Sequence, residues 1–556
     1  MSTISDRIAA ALHPHITELF GLMGNGNAYF IDAALRAGLR YTAVRHEAGG
    51  VAAADAYYRT SGRVAIATAT YGPGFTNAIT PLAESAQARV PSIFVVGDAP
   101  TTGPRPWDID QSGVAAAIGV KTFVITAEEP AETAIAALEH ALGRRTPVVL
   151  AIPYDLGSAE AFGPAPAPRA LRLPAPVLPE PAIVRRVADR LRTAKRPFVL
   201  AGAGARWAGA ASELGALADK LAAVTGTTAI ARGIFGDSPA DLGVVGGFGQ
   251  QRAMELIREA DVALVAGASL NQFTNRFGEL FAPDTVVIQV DIADVAHPRA
   301  DEYLHADARL AIQALLAELA AGTAPASRWS TRVDALADGA LRRRPFADEF
   351  APDGRLDPRA VAIRLDEIMP ADRVIVSDGG HFIGWANSYW AVREPHRLQM
   401  VGTAFQTIGL GLPSAVGAGV AHPDSLIVLT TGDGGALMGL ADLPSVIATV
   451  RHGLIVVWND AAYTAEVSMY GARGLDVGPM LIPEVDFAAV GAALGARSVV
   501  VQGLDELAPV AEWIDGGAPG VMIVDCRISP SVIAPYQEEI MAASRRASGR
   551  TAAARL

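Results

Sequence analysis

The sequence predicts an α/β protein made of three doubly wound parallel-sheet domains. The chain has 556 residues, too long for one core and suited to about three. One theme recurs three times: a short apolar strand, a Gly-rich turn and an Ala-rich helix. Strands that alternate with helices imply parallel sheets covered on both faces. Two stretches of linker composition separate the repeats.

In chain order, the first repeat carries apolar strands at 64–69, 92–97 and 147–152. A Pro- and Ala-rich linker follows at 163–181. The second repeat holds strands at 197–201, 261–266 and 286–291. A polar, charged segment at 322–358 is expected to carry a helix and a crossing connection. The third repeat has strands at 373–378, 425–430, 454–459 and 521–525. These seams predict domains at 1–165, 182–322 and 357–530, with a C-terminal tail at 531–556. Strand pattern ends at Ser529, and 545–556 reads as helical or frayed.

Hydrophobic residues make up 51% of the chain, enough for large packed interiors. The 46 Lys and Arg against 58 Asp and Glu leave a net charge of −12 with no basic run, which argues against a nucleic-acid partner. Cys526 is the lone cysteine, so no disulfide forms within the chain, as expected in the cytoplasm. The N-terminus lacks a basic stretch followed by an apolar core, so no signal peptide is predicted. No run of eighteen apolar residues predicts a membrane span.

The chemistry concentrates at the two ends of the chain. In the third repeat, the strand at 425–430 runs into Thr431-Gly432-Asp433-Gly434-Gly435. Ligands in such folds sit where strands end and helices begin. Gly432, Gly434 and Gly435 let the backbone approach phosphate oxygens, and Asp433 offers a hard oxygen to a magnesium-like ion. The next strand ends in Asn459-Asp460, a polar cluster able to complete the coordination. A further loop, Ser377-Asp378-Gly379-Gly380-His381, also follows a strand. In the first repeat stands Arg45-His46-Glu47-Ala48-Gly49-Gly50, followed downstream by Tyr71-Gly72-Pro73-Gly74-Phe75-Thr76-Asn77.

Together these segments resemble the thiamine diphosphate enzymes of the acetolactate synthase and pyruvate decarboxylase group. The resemblance spans nearly the whole chain, with specific motifs in the first and third repeats only. It implies a pyrimidine-binding domain, a central domain and a diphosphate-binding domain, with thiamine diphosphate and Mg²⁺ as cofactors. Glu47 is then the acid that activates the aminopyrimidine, and Asn77 belongs to the accompanying turn. Gly380 and His381 resemble a Gly-Gln-His diphosphate loop. In 402–413, Ile408 takes the place of the bulky residue that props the cofactor, and the Gln406 carbonyl that of the acceptor for its amino group. Where the family has two asparagines this chain has Asn459-Asp460, so the side-chain ligand falls on Asp460 and the carbonyl ligand on Ala462. Shifting the register by one residue makes Asn459 the ligand.

The substrate residues mix two subgroups. Tyr463-Thr464-Ala465-Glu466 resembles the Tyr-Thr-x-Glu of 2-oxo acid decarboxylases, where the glutamate manages protons on the intermediate. Those enzymes also carry a His-His pair, whereas 101–114 here reads TTGPRPWDIDQSGV. Trp107, Asp108, Asp110 and Gln111 are the polar candidates there, and Gln111 is the one carried forward, since acetolactate synthases place a Gln in this region. In the central repeat, Gly202-Gly204 and 269–273 permit FAD or a purely structural domain, and the structural role is preferred.

The resulting expectation is carbon–carbon bond making or breaking beside a carbonyl. A small-molecule 2-oxo acid would lose CO₂ and be carried on to carboligation, as in acetolactate synthases. The alternatives are a non-oxidative decarboxylase releasing an aldehyde, a 2-hydroxyacyl-CoA or aldehyde lyase, and, remotely, a non-catalytic paralogue. Gly24-Asn25-Gly26 does not supply a dinucleotide fingerprint for an oxidoreductase. The resemblance also implies a homodimer or homotetramer with shared active sites.

Overall fold

A computed structural model describes residues 2–163, 168–337, 339–342 and 347–553. The described residues form three six-stranded sheets, parallel throughout. The first holds β1 Glu18–Gly21, β2 Arg40–Ala43, β3 Ile66–Ala69, β4 Ile93–Asp98, β5 Lys121–Val124 and β6 Val148–Pro153. The second holds β7 Pro197–Ala201, β8 Val224–Thr227, β9 Asp241–Val244, β10 Val262–Ala266, β11 Val286–Asp291 and β12 Glu302–His305. The third holds β13 Arg373–Ser377, β14 Leu398–Met400, β15 Leu426–Gly432, β16 His452–Asn459, β17 Arg497–Val501 and β18 Gly520–Arg527. Seven helices bear on the site: α1 Glu47–Ser61, α2 Ile79–Gln87, α3 Gln111–Ala117, α4 Gly411–Ala421, α5 Asp433–Met438, α6 Thr464–Met469 and α7 Pro535–Ala553.

The first and third sheets repeat one topology. Their orders are β2-β1-β3-β4-β6-β5 and β14-β13-β15-β16-β18-β17. In each, the chain goes to one side of its first strand and then crosses to the other. That reversal opens a crevice at the carboxyl ends of β1 and β3, and of β13 and β15. The second sheet has the order β12-β11-β10-β7-β8-β9.

Equivalent helices of the two repeats pack on each other. α1 follows β2, and α4 follows β14. From Gly49 to Thr60 every residue of α1 is buried, which its Ala- and Gly-rich sequence permits. A Cβ on Gly417 of α4 would lie 2.0 Å from the Ala53 carbonyl oxygen, so the two backbones touch. One apolar core therefore runs from Phe20, Val51 and Tyr57 through to Val416, Leu429 and Val457.

Between the second and third sheets, the described part of 322–358 contains a short helix, Asp334–Ala337. The tail carries α7. Residues 164–167 of the first linker, 338 and 343–346 of the second, and 554–556 of the tail lie outside the described residues. No helix among the described residues is long and apolar enough to cross a membrane.

Gly417→Ala should force α1 and α4 apart and cost about 1–3 kcal/mol, the usual range for overpacking. Gly215→Ala is the control, because a Cβ there meets nothing within 4 Å; it should be neutral or slightly stabilising. Denaturant melts of both variants check this. Equal stabilities would refute the close packing.

Candidate active site

Three loops converge at the carboxyl ends of β13, β14 and β15, and Asp378 ties them together. Its Oδ1 accepts from Gly379 N at 2.8 Å and from Gly409 N at 3.2 Å. Its Oδ2 accepts from the Thr431 hydroxyl at 3.2 Å. Burial pushes this carboxyl up to about 6. Glycines let the loops close. Gly402, with φ of +75°, turns the β14 loop so sharply that a Cβ there would meet the Thr407 carbonyl oxygen at 1.8 Å.

The loops enclose a cavity lined by Gly380, His381, Ile408, Gly432, Asp433, Gly434, Gly435, Asp460, Ala462 and Glu466, among others. All of these were singled out in the sequence. A Cβ on Gly434 would lie 2.7 Å from the Tyr463 ring, and one on Gly435 3.0 Å from Asp378 Oδ2. Bare backbone at both positions keeps the cradle open.

Asp433 Oδ1 accepts from Gly434 N at 2.7 Å, while its buried Oδ2 has no hydrogen-bond partner. Burial, and next the Asp460 charge, push Asp433 up to about 7. Burial likewise pushes Asp460 up to about 6. Asp460 is held by the Thr464 hydroxyl at 2.6 Å and by Ala462 N at 3.2 Å. Ala461 between them adopts φ of +60°, a left-handed conformation that costs an alanine about 1 kcal/mol or more. Two buried carboxyls, an unpartnered oxygen and a left-handed alanine thus meet at one point of the cavity. Asn459 instead faces the sheet interior, where its amide donates to the Val485 carbonyl at 2.9 Å and to Asp525 at 2.8 Å.

The tail braces the loop that carries Gly380 and His381. Ala534 N donates to His381 Nε2 at 3.0 Å, and the Tyr536 hydroxyl donates to the carbonyls of His381 and Gly380 at 3.0 and 3.2 Å. Burial pushes His381 down to about 4, so its ring is neutral. With Nε2 accepting, the proton sits on Nδ1. Burial, and next the Glu466 charge, raise the Tyr536 hydroxyl. Sequence reasoning missed this role for the tail, because no strand or loop pattern marks it. It also missed Asp378 as the hub, although Ser377-Asp378-Gly379 was in view.

The first repeat assembles its own half. Asn77 Nδ2 donates to Glu47 Oε2 at 3.0 Å, so the two motifs read from the sequence do meet. Neither residue lines the cavity of the third repeat in the same chain. Gln111 is bonded within the same repeat. Its Nε2 donates to the Gly97 carbonyl at 2.9 Å and to Asp98 at 3.1 Å, and its Oε1 accepts from Gly72 N at 2.8 Å. It is 3% exposed. Gln111 thus pins the Tyr71–Asn77 turn to the end of β4. Gln406 is exposed with φ of +61°, and Ile408 is 39% exposed.

In the central repeat the glycines are occupied. A Cβ on Gly202 would strike the Gly267 carbonyl oxygen at 2.3 Å, and one on Gly204 would lie 2.8 Å from Gly267 Cα. The turns after β7 and β10 close on each other, a packing use of the glycines.

Comparisons with known proteins follow the same division. Residues 2–115 match the thiamine pyrophosphate enzyme N-terminal TPP binding domain, 184–315 the central domain, and 378–526 the C-terminal TPP binding domain. The chain is 30% identical over 472 residues to a probable acetolactate synthase large subunit of Methanocaldococcus jannaschii, covering 80% of each chain. It is 27% identical over 542 residues to sulfoacetaldehyde acetyltransferase of Alcaligenes xylosoxydans, covering 89% of this chain and 87% of that one. Its fold is similar to the crystal structure of benzoylformate decarboxylase from Polynucleobacter necessarius. The TM-score is 0.80 at 20% identity, over 96% of this chain and 99% of that one.

The carboxyl pair predicts a sign for pH dependence. Both folded values lie above the unfolded one of about 4. Without metal, the pair's contribution to stability is full below pH 4 and is lost as pH rises through 6 and 7. Asp433→Asn should therefore melt higher than wild type at pH 8, by a margin on the order of 1–3 kcal/mol, and the margin should vanish near pH 4. A divalent ion should raise wild type and leave the variant unmoved. Calorimetric melts across pH, with and without Mg²⁺, decide it. A pH-independent difference would refute the strained pair.

Proposed function

The chain belongs to the thiamine pyrophosphate enzymes of the acetolactate synthase and decarboxylase group, and on that premise we propose acetolactate synthase-like carboligation following decarboxylation of a 2-oxo acid. Domains at 1–165, 182–322 and 357–530 would bind pyrimidine, support the pair, and bind diphosphate. The observation that carries the reading is the cavity in which an orphaned Asp433 oxygen, Asp460 and three bare glycines face one another. When bound, thiamine diphosphate supplies an electron sink for a carbanion beside a carbonyl.

The chain's own groups have separable tasks. Asp433, Asp460 and the Ala462 carbonyl hold Mg²⁺; the location of Asp460 in the cavity lining and of Asn459 in the sheet supports that choice. Gly380, Gly432, Gly434 and Gly435 admit the diphosphate, and His381 offers Nδ1–H. Glu47, oriented by Asn77, would hold and exchange a proton with the pyrimidine ring. Ile408 would pack against the bound cofactor, and the Gln406 carbonyl would accept from its amino group. FAD is left out, since the central glycines already serve packing.

A homodimer or homotetramer with shared sites is supported by the absence of Glu47 from the lining of the third-repeat cavity in the same chain. Glu47 would serve the cavity of a second copy. The lone buried Cys526 fits a cytoplasmic setting. A second reading, simple decarboxylation to an aldehyde, is favoured by Glu466, an exposed acid in the cavity lining.

Mass spectrometry of products from a panel of 2-oxo acids, with and without aldehyde acceptors, tests the reading. Carboligation products are expected; aldehyde and CO₂ alone would favour the second. Glu466→Gln should raise the ratio of carboligation to aldehyde release, and an unchanged ratio would remove Glu466 from proton transfer. Mixing Glu47→Gln with Asp433→Ala chains should restore activity as hetero-oligomers form, because one site per pair is then intact. Hetero-oligomers without activity would rule out shared sites.

A further inference from the structure

The first and third repeats hold each other's working loops by a matched pair of buried acids. Glu84 lies in α2, which follows β3. Its Oε2 accepts from Phe405 N at 2.6 Å and its Oε1 from Ala404 N at 3.2 Å. Asp442 lies in the equivalent stretch after β15. Its Oδ1 accepts from Arg45 N at 2.7 Å. A Cβ on Gly49 would lie 2.1 Å from Asp442 Oδ2, so the carboxylate lies flush against the first turn of α1. Glu84 is 2% and Asp442 3% exposed.

Each acid therefore grips backbone N–H groups that belong to the other repeat. Each grips them just ahead of a working residue: Phe405 precedes Gln406 directly, and Arg45 stands two before Glu47. The topology explains the match, since each held loop follows the second strand of its sheet and each acid follows the third.

The Glu84 side is braced further. Arg59, near the end of α1, donates to Glu84 at 3.3 Å, to Asp55 at 2.5 Å and to the Met400 carbonyl at 2.8 Å. The Ser85 hydroxyl donates to Asp55 at 2.7 Å. One buried guanidinium thus spans the end of β14 and the acid that holds the loop beyond it. A carboxylate accepting N–H bonds about twice as strongly as a neutral acceptor.

We propose that Glu84 and Asp442 are reciprocal positioning residues: Glu84 sets the Gln406–Ile408 loop for the cofactor, and Asp442 sets Glu47. The proposal rests on the roles proposed above for Gln406, Ile408 and Glu47.

The test uses the full chain without cofactor first. Glu84→Asp keeps the charge and leaves Arg59 paired with Asp55, but withdraws the carboxylate by one methylene, so it is the variant expected to fold. Glu84→Gln and Asp442→Ala remove more. Amide hydrogen exchange of peptides covering 402–408 and 44–48 is measured. Glu84→Asp and Glu84→Gln should speed exchange at 402–408 at least tenfold and leave 44–48 unchanged. Asp442→Ala should do the reverse.

In titrations with Mg²⁺ and thiamine diphosphate, the Glu84 variants should weaken cofactor binding at least fivefold. Asp442→Ala should leave binding within about threefold and lower kcat at least tenfold at unchanged KM. Exchange that rises equally in both loops, or cofactor binding indifferent to both Glu84 variants, overturns the proposal. Should wild type bind no thiamine diphosphate, the cofactor reading fails, while the exchange pattern still decides the clamps.

Discussion

The backbone contact between α1 and α4 is the constraint on which the rest depends. Gly417 brings the α4 axis onto the Ala53 carbonyl, and Gly49 lets α1 accept the Asp442 carboxylate at its first turn. With the helices this close, the crevices of the first and third sheets take a fixed relation within the chain. Arg59, Glu84 and Asp442 then have definite backbone targets across the interface. Buried charges are tolerated there because each carboxylate meets several donors, and the single guanidinium meets two acids and a carbonyl.

The cavity in the third repeat runs against the packing around it. Here burial and the Asp460 charge both disfavour ionised Asp433, and the buried Oδ2 of Asp433 has no hydrogen-bond partner. The strained Ala461 lies between Asp460 and Ala462. Such local conflicts mark places where stability has been exchanged for function. Divalent metal would relieve them by supplying the missing positive charge.

Legibility in the sequence followed burial. Strands in sheet interiors, such as β4, β6, β10, β15 and β16, announced themselves as apolar runs. The edge strands β2, β5, β9, β12, β14 and β17 did not, since strands with one free side need less apolar sequence, and β14 is only Leu398–Met400. β1 and β8 are interior but short, and each contains a glycine. At the site, residues sitting in Gly-rich turns were legible. Gln111 was picked out by the resemblance, but its bonds to Gly72, Gly97 and Asp98 were not legible, because those partners lie 13 to 39 residues away along the chain. Glu84 and Asp442 were invisible: each acts on backbone more than three hundred residues away, and such a partner leaves no local pattern.

The hold of the tail on the His381 loop bears on the order of assembly. Ala534 and Tyr536 come later in the chain than every strand of all three sheets. During vectorial synthesis the strands of all three sheets are therefore available before the residues that brace the β13 loop, and these bonds are among the last that the described chain can make.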